Sequence, residues 1–542
     1  MRTRPSPRTR GPRRVHRIRG TSPRATARVT ATLLAAAALL VSACSPGNPA
    51  TSADGTVQAA LAALPRATPA ALTPYYSQRL RWRECGVPGF ECATMKAPLD
   101  YASPDAGTVR LAVARKKATG AAGRLGSLLV NPGGPGGSAV DYLQQYAGLG
   151  YPARIRARYD MVAMDPRGVA RSEPVKCLDG RQMDAYAQTD LTPDDQRERD
   201  ALVAADRRFA ESCGAHSARL LRHVSTVEAA RDMDILRSVL GDRRLNYVGA
   251  SYGTFLGATY AGLFPERVGR MVLDGAMDPS LDARRLNLDQ TAGFETAFQA
   301  FARDCVQRSD CPLGGRGATP ARVGDRLRAF FRELDARPLR SGGAGGRRLG
   351  EALATTGVIA AMYDEGTWAQ LREALTSAIK ERDGAGLLAL ADTYYERDPD
   401  GHYSNLMMAN AAVNCLDLPS AFSGPEEVEK ALPAFEKASP VFGPGLAWAS
   451  LNCAYWPVRA KGEPHRIEAK GAAPIVVVGT VRDPATPYRW ARSLAGQLSS
   501  AHLLTYAGDG HTAYGRGSGC IDTAIDTYLL RGTPPPPGKR CS

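Results

Sequence analysis

The sequence contains 542 residues, enough for one large domain or two ordinary ones. Ten arginines and no acids lie in the first 28 residues, and without them 59 basic residues face 54 acidic ones. The high net charge is therefore mainly a property of the N-terminal tail, and it does not indicate a nucleic-acid partner.

An apolar run rich in Ala and Leu follows the basic tail, from Val29 to Ala43. It is too short to span a bilayer comfortably and is typical of a signal-peptide core, so residues 1–43 are predicted to be a signal peptide. The run ends in Val41-Ser42-Ala43-Cys44, which resembles a bacterial lipobox. We expect lipid modification of Cys44 and membrane attachment through that lipid. An ordinary secretory signal with a chance cysteine is the alternative.

Residues 44–73 are rich in Ala, Pro, Thr and Ser and are predicted to form a flexible tether between the lipid and the body. Ten cysteines remain beside Cys44, and an even number in an exported chain suggests disulfides. Proximity along the chain suggests the pairs Cys85/Cys92, Cys177/Cys213, Cys305/Cys311, Cys415/Cys453 and Cys520/Cys541. No Cys-x-x-Cys or His-Glu-x-x-His pattern is present, so no metal site is expected.

Short apolar strands alternate with helices from residue 74 to residue 277. Strands are predicted at Thr108–Ala114, Leu128–Val130, Tyr159–Met164 and Arg270–Leu273. A capping box at Ser225 and Glu228 predicts a helix that ends near Gly241. This alternation is typical of a parallel sheet. The turn at Asp165-Pro166-Arg167-Gly168 is predicted to hold a buried arginine pair rather than a catalytic group.

A glycine-rich loop, Asn131-Pro132-Gly133-Gly134-Pro135-Gly136-Gly137-Ser138, joins a strand to a helix that begins at Ala139. It lacks the lysine of a P-loop and the G-x-G-x-x-G spacing of dinucleotide sites. Bare backbone N–H groups in such a loop can stabilise a developing oxyanion, and we interpret it this way because a serine motif follows downstream. A simple tight turn is the alternative.

The serine motif is Gly249-Ala250-Ser251-Tyr252-Gly253, the only G-x-S-x-G in the sequence. A short apolar run precedes it, and a run of apolar and small residues follows it to Phe264. This is the strand–turn–helix context of a nucleophile elbow, in which a strained turn exposes the serine at the end of the sheet. We therefore predict Ser251 as a nucleophile.

Residues 278–448 break the alternation and are predicted to form a mainly helical cap, with helices such as Leu327–Leu334 and Trp368–Ile379. Residues 449–542 return to the core pattern, with strands at Pro474–Gly479 and His502–Tyr506 around a helix at Tyr488–Leu498. A cap over the strand ends would cover the place where α/β sheets bind their ligands.

A serine nucleophile needs a base, and the base needs an orienting acid. Of seven histidines, only His511 lies in a glycine-flanked loop just after the last predicted strand. Asp483 is favoured as the acid because it and His511 end neighbouring strands, whereas Asp274 is the alternative acid and an Asx turn the alternative role for Asp483. The order Ser, Asp, His is that of α/β-hydrolases. The predicted fold is therefore an α/β-hydrolase, with a mostly parallel sheet flanked by helices and a largely helical cap.

The motifs together resemble those of the secreted tripeptidyl aminopeptidases of actinomycetes, which are α/β-hydrolase serine peptidases related to prolyl aminopeptidases. The resemblance runs from about Trp82 to the C-terminus and rests on five segments: Asn131–Ser138, Asp165–Gly168, Gly249–Thr254, Asp483–Pro487 and His511. Two positions depart from the pattern. Pro132 stands where prolyl aminopeptidases carry the histidine of His-Gly-Gly-Pro, and Ala170 stands where relatives often have glycine.

The resemblance implies a catalytic triad of Ser251, Asp483 and His511, with the backbone N–H groups of Gly134 and Tyr252 as oxyanion donors and no cofactor. It implies an exopeptidase that acts on peptides with a free N-terminus and releases short, tripeptide-like segments through an acyl-enzyme. Such an enzyme must bind an ammonium group, for which Asp417 is one candidate, although a structural role is favoured for it.

Two other functions stay open at this point: a carboxylesterase or lipase-like enzyme with the same triad, and a non-catalytic binding lipoprotein that keeps the fold. In each case we expect an exported protein, held by lipid on the outer face of the cell membrane or released to the medium.

Overall fold

The computed structural model describes residues 58–120, 123–341 and 347–542. The predicted signal peptide and Cys44 lie outside the described residues. From Gln58 onward the chain lies on the body: the Gln58 side chain donates to the Ser280 carbonyl at 2.9 Å, and the Leu61 N–H donates to the Arg466 carbonyl at 2.8 Å. Leu72 is buried. Gln58, Leu61 and Leu72, in the last part of the predicted tether, thus contact the body, whereas residues 44–57 lie outside the described residues.

Ten strands of the described residues form one sheet, and two form a small ribbon in the cap. In chain order they are β1 (Arg83–Glu84), β2 (Glu91–Pro98), β3 (Thr108–Lys116), β4 (Gly126–Asn131), β5 (Tyr159–Met164), β6 (Leu245–Ala250), β7 (Val268–Asp274), the ribbon β8 (Leu339–Arg340) and β9 (Arg348–Leu349), β10 (Ile475–Arg482), β11 (Ala501–Asp509) and β12 (Arg540–Cys541).

The sheet order is β1-β2-β3-β5-β4-β6-β7-β10-β11-β12. The pairs β1–β2, β2–β3 and β3–β5 are antiparallel, and every later pair is parallel. All six residues of β4 are buried, as expected for a strand covered on both faces. The predicted, mostly parallel sheet is confirmed. Its parallel part brings the carboxyl ends of β4, β6, β7, β10 and β11 to one edge.

Helices flank the sheet at Ala139–Tyr142, Ala153–Arg156, Thr226–Val239, Tyr252–Leu263, Tyr488–Gln497 and Gly519–Arg531. Both hydrogen bonds of the predicted capping box form: the Ser225 side chain accepts the Glu228 N–H, and the Glu228 side chain accepts the Ser225 N–H. The cap contributes Ala283–Cys305, Pro320–Ala336, Glu351–Met362, Trp368–Thr376, Ala385–Tyr395, Leu406–Asp417, Pro425–Ala438 and Gly443–Ala449. Much of the cap packs on a hydrophobic core of its own, which includes Phe298 and Phe331.

A second helical excursion, Gly180–Ala187 and Gln196–Leu221, lies between β5 and the helix Thr226–Val239. The sequence pattern did not predict it as a segment distinct from the core. Its Asp184 accepts hydrogen bonds from Arg397 at 2.8 Å and from the Tyr403 hydroxyl at 2.7 Å, both in the cap region. The excursion therefore helps to hold the cap on the core.

The five predicted cysteine pairs are all disulfides in the structure. The Cys415–Cys453 bond ties the helix Leu406–Asp417 to the segment that leads back towards the sheet. No helix within the described ranges is both long and apolar enough to cross a membrane.

Arg167 forms the buried ion pair that the turn Asp165–Gly168 predicts. Its guanidinium donates two hydrogen bonds to Asp232, each 2.7 Å long, and both side chains are fully buried. The remaining donors bind the carbonyls of Pro98, Leu99 and His223 at 2.9 to 3.0 Å. Arg167 thus joins β2 to the helix Thr226–Val239, which packs beside the serine motif's own helix.

We expect Arg167→Met to lower the free energy of unfolding by about 3–5 kcal/mol, because it leaves the Asp232 carboxylate buried without its partner. Denaturant unfolding measures the loss. The double variant Arg167→Met/Asp232→Leu should recover much of it, and Arg110→Met, at an arginine with a 71% exposed side chain, should change stability little. A loss no larger than that of Arg110→Met would contradict the role of this pair.

Candidate active site

Ser251 occupies the sharp turn between β6 and the helix Tyr252–Leu263, with φ 56° and ψ −125°. A residue with a side chain rarely adopts a positive φ, and such strain is found preferentially at functional sites. The Ser251 N–H donates to the Asp274 carbonyl at 2.9 Å, which ties the turn to the end of β7. The predicted nucleophile therefore lies at the carboxyl edge of the sheet.

Glycines surround this turn because neighbouring backbone passes too close for a side chain. A Cβ atom on Gly249 would lie 2.3 Å from the Gly253 carbonyl oxygen. One on Gly133, in the loop after β4, would lie 2.5 Å from the Ala250 oxygen and 2.9 Å from the Tyr252 nitrogen. The glycine-rich loop Asn131–Ser138, here called the oxyanion loop, thus packs directly against the serine turn.

Asp483 and His511 meet at the ends of β10 and β11. His511 Nδ1 lies 2.8 Å from Asp483 Oδ1, with the Asp483 side chain fully buried and the His511 side chain 12% exposed. Asp483 Oδ1 also accepts the N–H groups of Ala485 and Thr486 at 3.0 and 2.8 Å. The carboxylate therefore forms an Asx turn and contacts the imidazole at the same time, so the two interpretations of Asp483 are compatible.

A salt bridge just before these residues aligns the two strands. Arg482 and Asp509 are opposite each other in the β10–β11 register and form two hydrogen bonds of 2.6 Å. Because Asp483 follows Arg482 directly and His511 follows Asp509 by two residues, this pair sets how the acid and the imidazole approach each other.

Asp274, the alternative acid, binds backbone rather than the imidazole. Its buried carboxylate accepts the N–H groups of Ala513 and Tyr514 at 2.8 to 3.0 Å. Burial raises its pKa, and these two backbone hydrogen bonds oppose the rise. Asp274 therefore supports the loop just after His511, while Asp483 contacts the ring itself.

The imidazole of His511 faces the same edge as Ser251. The Asp274 carbonyl accepts the Ser251 N–H, and Gly275 is the next residue. A Cβ built on Gly275 would lie 3.3 Å from Cε1 of the His511 ring. Within the described chain no hydrogen bond joins the Ser251 hydroxyl to the ring. Catalytic hydrogen bonds are often long in proteins without a bound substrate. Tyr363 of the cap packs edge-on against the ring, with the ring centres 5.4 Å apart.

The two predicted oxyanion donors belong to the serine turn's own helix and to the oxyanion loop packed against that turn. Neither the Gly134 N–H nor the Tyr252 N–H has a hydrogen-bond partner among the described residues. The adjacent Gly133 N–H, in contrast, donates to the Asn131 side chain at 2.9 Å. Tyr252 is the first residue of its helix, where N–H groups have no partner within the helix.

A cavity of about 270 Å³ opens on Ser251 and is lined by Gly134, by cap residues and by the Asp483 turn. Within the part of the chain that the structure describes, its polar lining is neutral: it contains five amide residues, Asn287, Gln290, Asn410, Asn414 and Asn452, and no carboxylate. These amide residues could not be found from the sequence, because no local motif connects them to the serine or the histidine.

Asp417 is not among the residues that line the cavity. Its carboxylate accepts the Thr226 N–H at 2.8 Å and the Thr226 hydroxyl, which also contacts the Tyr252 hydroxyl. Burial raises the pKa of Asp417 to about 7. These contacts fit the structural role that was favoured for Asp417, since its oxygens are already engaged.

Ala170, the departure from glycine, has φ 44°. Its N–H donates to the Asn405 side chain at 2.8 Å. Glycine suits this position in relatives because it adopts positive φ without a steric cost.

Comparisons with known proteins agree with this architecture. The family described as alpha/beta hydrolase fold matches residues 126–350, and the family described as TAP-like protein matches residues 439–541. Serine protease Hip1 of Mycobacterium tuberculosis is 38% identical over 492 residues, covering 86% of this chain and 92% of the relative.

The chain belongs to the TAP-like family of α/β-hydrolases. Carboxylesterase B of Mycobacterium tuberculosis is also 38% identical, over 456 residues, covering 83% of this chain and 86% of the relative. Tripeptidyl aminopeptidase of Streptomyces coelicolor is 32% identical over 472 residues, covering 83% and 84%. The family resemblance stated from the motifs is therefore confirmed.

Gly133→Ala should abolish reaction of the protein with a serine-directed fluorophosphonate, because the new methyl group would displace the serine turn or the oxyanion loop. Gly241→Ala is a matched control: Gly241 also has positive φ, +79° against +95° for Gly133, but no atom lies within 4 Å of its added Cβ. The control should lose about 1–2 kcal/mol of stability and keep its labelling. Equal labelling of both variants would contradict the proposed close packing at Gly133.

Proposed function

We propose that the protein is a serine exopeptidase in which Ser251, His511 and Asp483 act as nucleophile, base and orienting acid. One observation carries the proposal: a buried carboxylate–imidazole pair shares a sheet edge with a strained serine. Beside it lie two backbone N–H groups that have no hydrogen-bond partner among the residues the structure describes. The chain order and local context of the three residues are those of α/β-hydrolases.

In the proposed reaction, the Ser251 hydroxyl attacks the carbonyl carbon of the scissile bond while His511 Nε2 accepts its proton. The Asp483 carboxylate holds the Nδ1–H and stabilises the imidazolium. The N–H groups of Gly134 and Tyr252 bind the oxyanion, and the loss of one such donor typically costs about 3–4 kcal/mol in the transition state. His511 then protonates the leaving amine, and water releases the acyl group from Ser251.

Ser251→Ala should abolish fluorophosphonate labelling and peptide turnover. Asp483→Asn should lower kcat by about 10⁴-fold, because an amide favours the wrong imidazole tautomer. Asp274→Asn is the matched comparison, since Asp274 binds backbone rather than the ring. Activity-based labelling and steady-state kinetics measure these effects. If Asp274→Asn lowered kcat more than Asp483→Asn at equal folded fraction, the acid would be misassigned.

We propose peptides with a free N-terminus as substrates, in keeping with the relative named tripeptidyl aminopeptidase. The neutral lining of the cavity suggests that amide oxygens and backbone carbonyls, rather than a carboxylate, would meet the substrate ammonium. Hydrogen bonds to charged groups contribute about 1.5–3 kcal/mol, more than those between neutral groups.

N-acetylation of a tripeptide amide substrate should therefore lower kcat/KM by about tenfold, since about 1.4 kcal/mol corresponds to that factor. The measurement compares free and acetylated forms of the same fluorogenic tripeptide. Unchanged turnover after acetylation would refute recognition of a free N-terminus and leave a peptidase that acts within chains.

Ester hydrolysis is the second candidate function, because the relative named carboxylesterase B is as similar as the serine protease. The same triad performs both reactions. If the enzyme hydrolysed short acyl esters well but did not hydrolyse free-amino tripeptide amides, this result would favour the esterase over the peptidase.

We also propose that the protein is exported and held on the outer face of the membrane by lipid on Cys44. The five disulfides are compatible with an oxidising environment. In detergent phase partition, the protein made in a bacterium that processes lipoproteins should enter the detergent phase, and Cys44→Ser should remain in the aqueous phase. Partition of both into the same phase would contradict lipid on Cys44.

A further inference from the structure

Among the described residues, the hydrogen bonds between the oxyanion loop and the core lie near the two ends of the loop. At the first end, the Gly133 N–H donates to the side chain of Asn131, the last residue of β4. Within the loop, the Gly137 N–H donates to the Gly133 carbonyl at 3.2 Å and closes the turn. At the other end, the Ser138 hydroxyl donates to the buried Asp165 at 2.8 Å. The middle of the loop, Gly134 to Gly136, contains the proposed donor, and none of these bonds joins it to the core.

The middle of the loop rests on the cap helix Leu406–Asp417, here called the bridging helix. Asn410 Nδ2 donates to the Pro135 carbonyl at 3.1 Å. Gly136 approaches the same helix so closely that a Cβ would lie 2.4 Å from the Leu406 oxygen and 3.1 Å from the Asn410 nitrogen. The Asn410 Oδ1 atom accepts from Asn414 at 2.9 Å, which orients the amide towards the loop.

The bridging helix is itself fixed at both ends. Just before it, the Asn405 amide donates to the carbonyls of Gly168 and Val175 at 2.8 and 3.1 Å. At its last residue, Asp417 accepts the N–H of Thr226, whose hydroxyl contacts the Tyr252 side chain. The helix therefore contacts the loop that contains Gly134 directly, and it is linked to the side chain of Tyr252 through Thr226.

We propose that Asn410 is a positioning residue for the oxyanion hole: by holding the Pro135 carbonyl, it sets where the Gly134 N–H points. This inference rests on the proposed serine-hydrolase function and deepens it, because it assigns part of the transition-state machinery to the cap. A helix of the cap then does more than cover the substrate. It completes a catalytic element whose ends belong to the core.

Asn410 also lines the cavity, so its effect on substrate binding must be separated from its effect on the loop. p-Nitrophenyl acetate separates them, because its acetyl group is too small to fill the cavity, whereas its hydrolysis still passes through an oxyanion. Loss of a whole oxyanion donor lowers kcat by 10²–10³-fold. A donor that is displaced rather than removed should cost less, and we expect about a tenfold loss.

The test compares Asn410→Ala and Asn410→Asp with the wild-type chain on the acetate ester and on a free-amino tripeptide amide. Both variants should lower kcat about tenfold on both substrates, with the ester KM unchanged and a shift in Tm of about 2 °C or less. The aspartate keeps the side-chain size and has no N–H to donate to Pro135, so it serves if the alanine variant does not fold. Gln299→Ala, a cap amide that contacts Glu295 outside the cavity, should match wild type.

A loss confined to the tripeptide, with the ester kcat unchanged, would overturn the inference and make Asn410 a substrate contact. Wild-type ester kcat in the folded aspartate variant would overturn it as well. Failure of the wild-type chain to hydrolyse either substrate or to react with a fluorophosphonate would instead remove the proposed function, and the inference with it.

Discussion

Gly133 packs so closely on the serine turn that a Cβ there would lie 2.5 Å from the Ala250 oxygen, and the rest of the site depends on this approach. The turn holds Ser251 at positive φ, and the space beside it admits only residues without a side chain. The same approach brings the oxyanion loop within reach of the Tyr252 backbone. A strained conformation of this kind persists because surrounding structure fixes it from several sides, here from β4, β7 and the following helix.

The four carboxylates around that turn have different roles. Asp483 contacts the imidazole, Asp274 supports the loop just after it, Asp165 holds the end of the oxyanion loop, and Asp417 caps the start of the helix Thr226–Val239. Only the first of these belongs to the proposed triad. The others show why acids at strand ends and near a cavity are weak evidence for catalysis by themselves: most accept backbone N–H groups and build the frame.

The core and its motifs could be predicted because their signals are local. Ser251 can be recognised from its flanking glycines and from the strand and helix on either side. Asp483 and His511 follow apolar strands whose ends must meet in a parallel sheet. Asn410, Tyr363 and the second helical excursion could not be found this way, since their contacts join residues far apart in the chain. The Ala- and Pro-rich stretch near residue 60 was assigned to the tether from composition, which does not reveal that Arg466 and Leu263 pair with its backbone. Even the cysteine pairs could be predicted only because each bond joins two consecutive cysteines along the chain.

The pairing of β7 with β10 joins residues about 200 positions apart, Met271 with Ile475. Long-range strand pairing forms slowly, because the loop must close before the contacts stabilise it. The intervening cap helices, which have a core of their own, can fold before this closure. Hydrolytic competence would then arise late on the folding pathway, so partly folded chains would be harmless to the peptides around them.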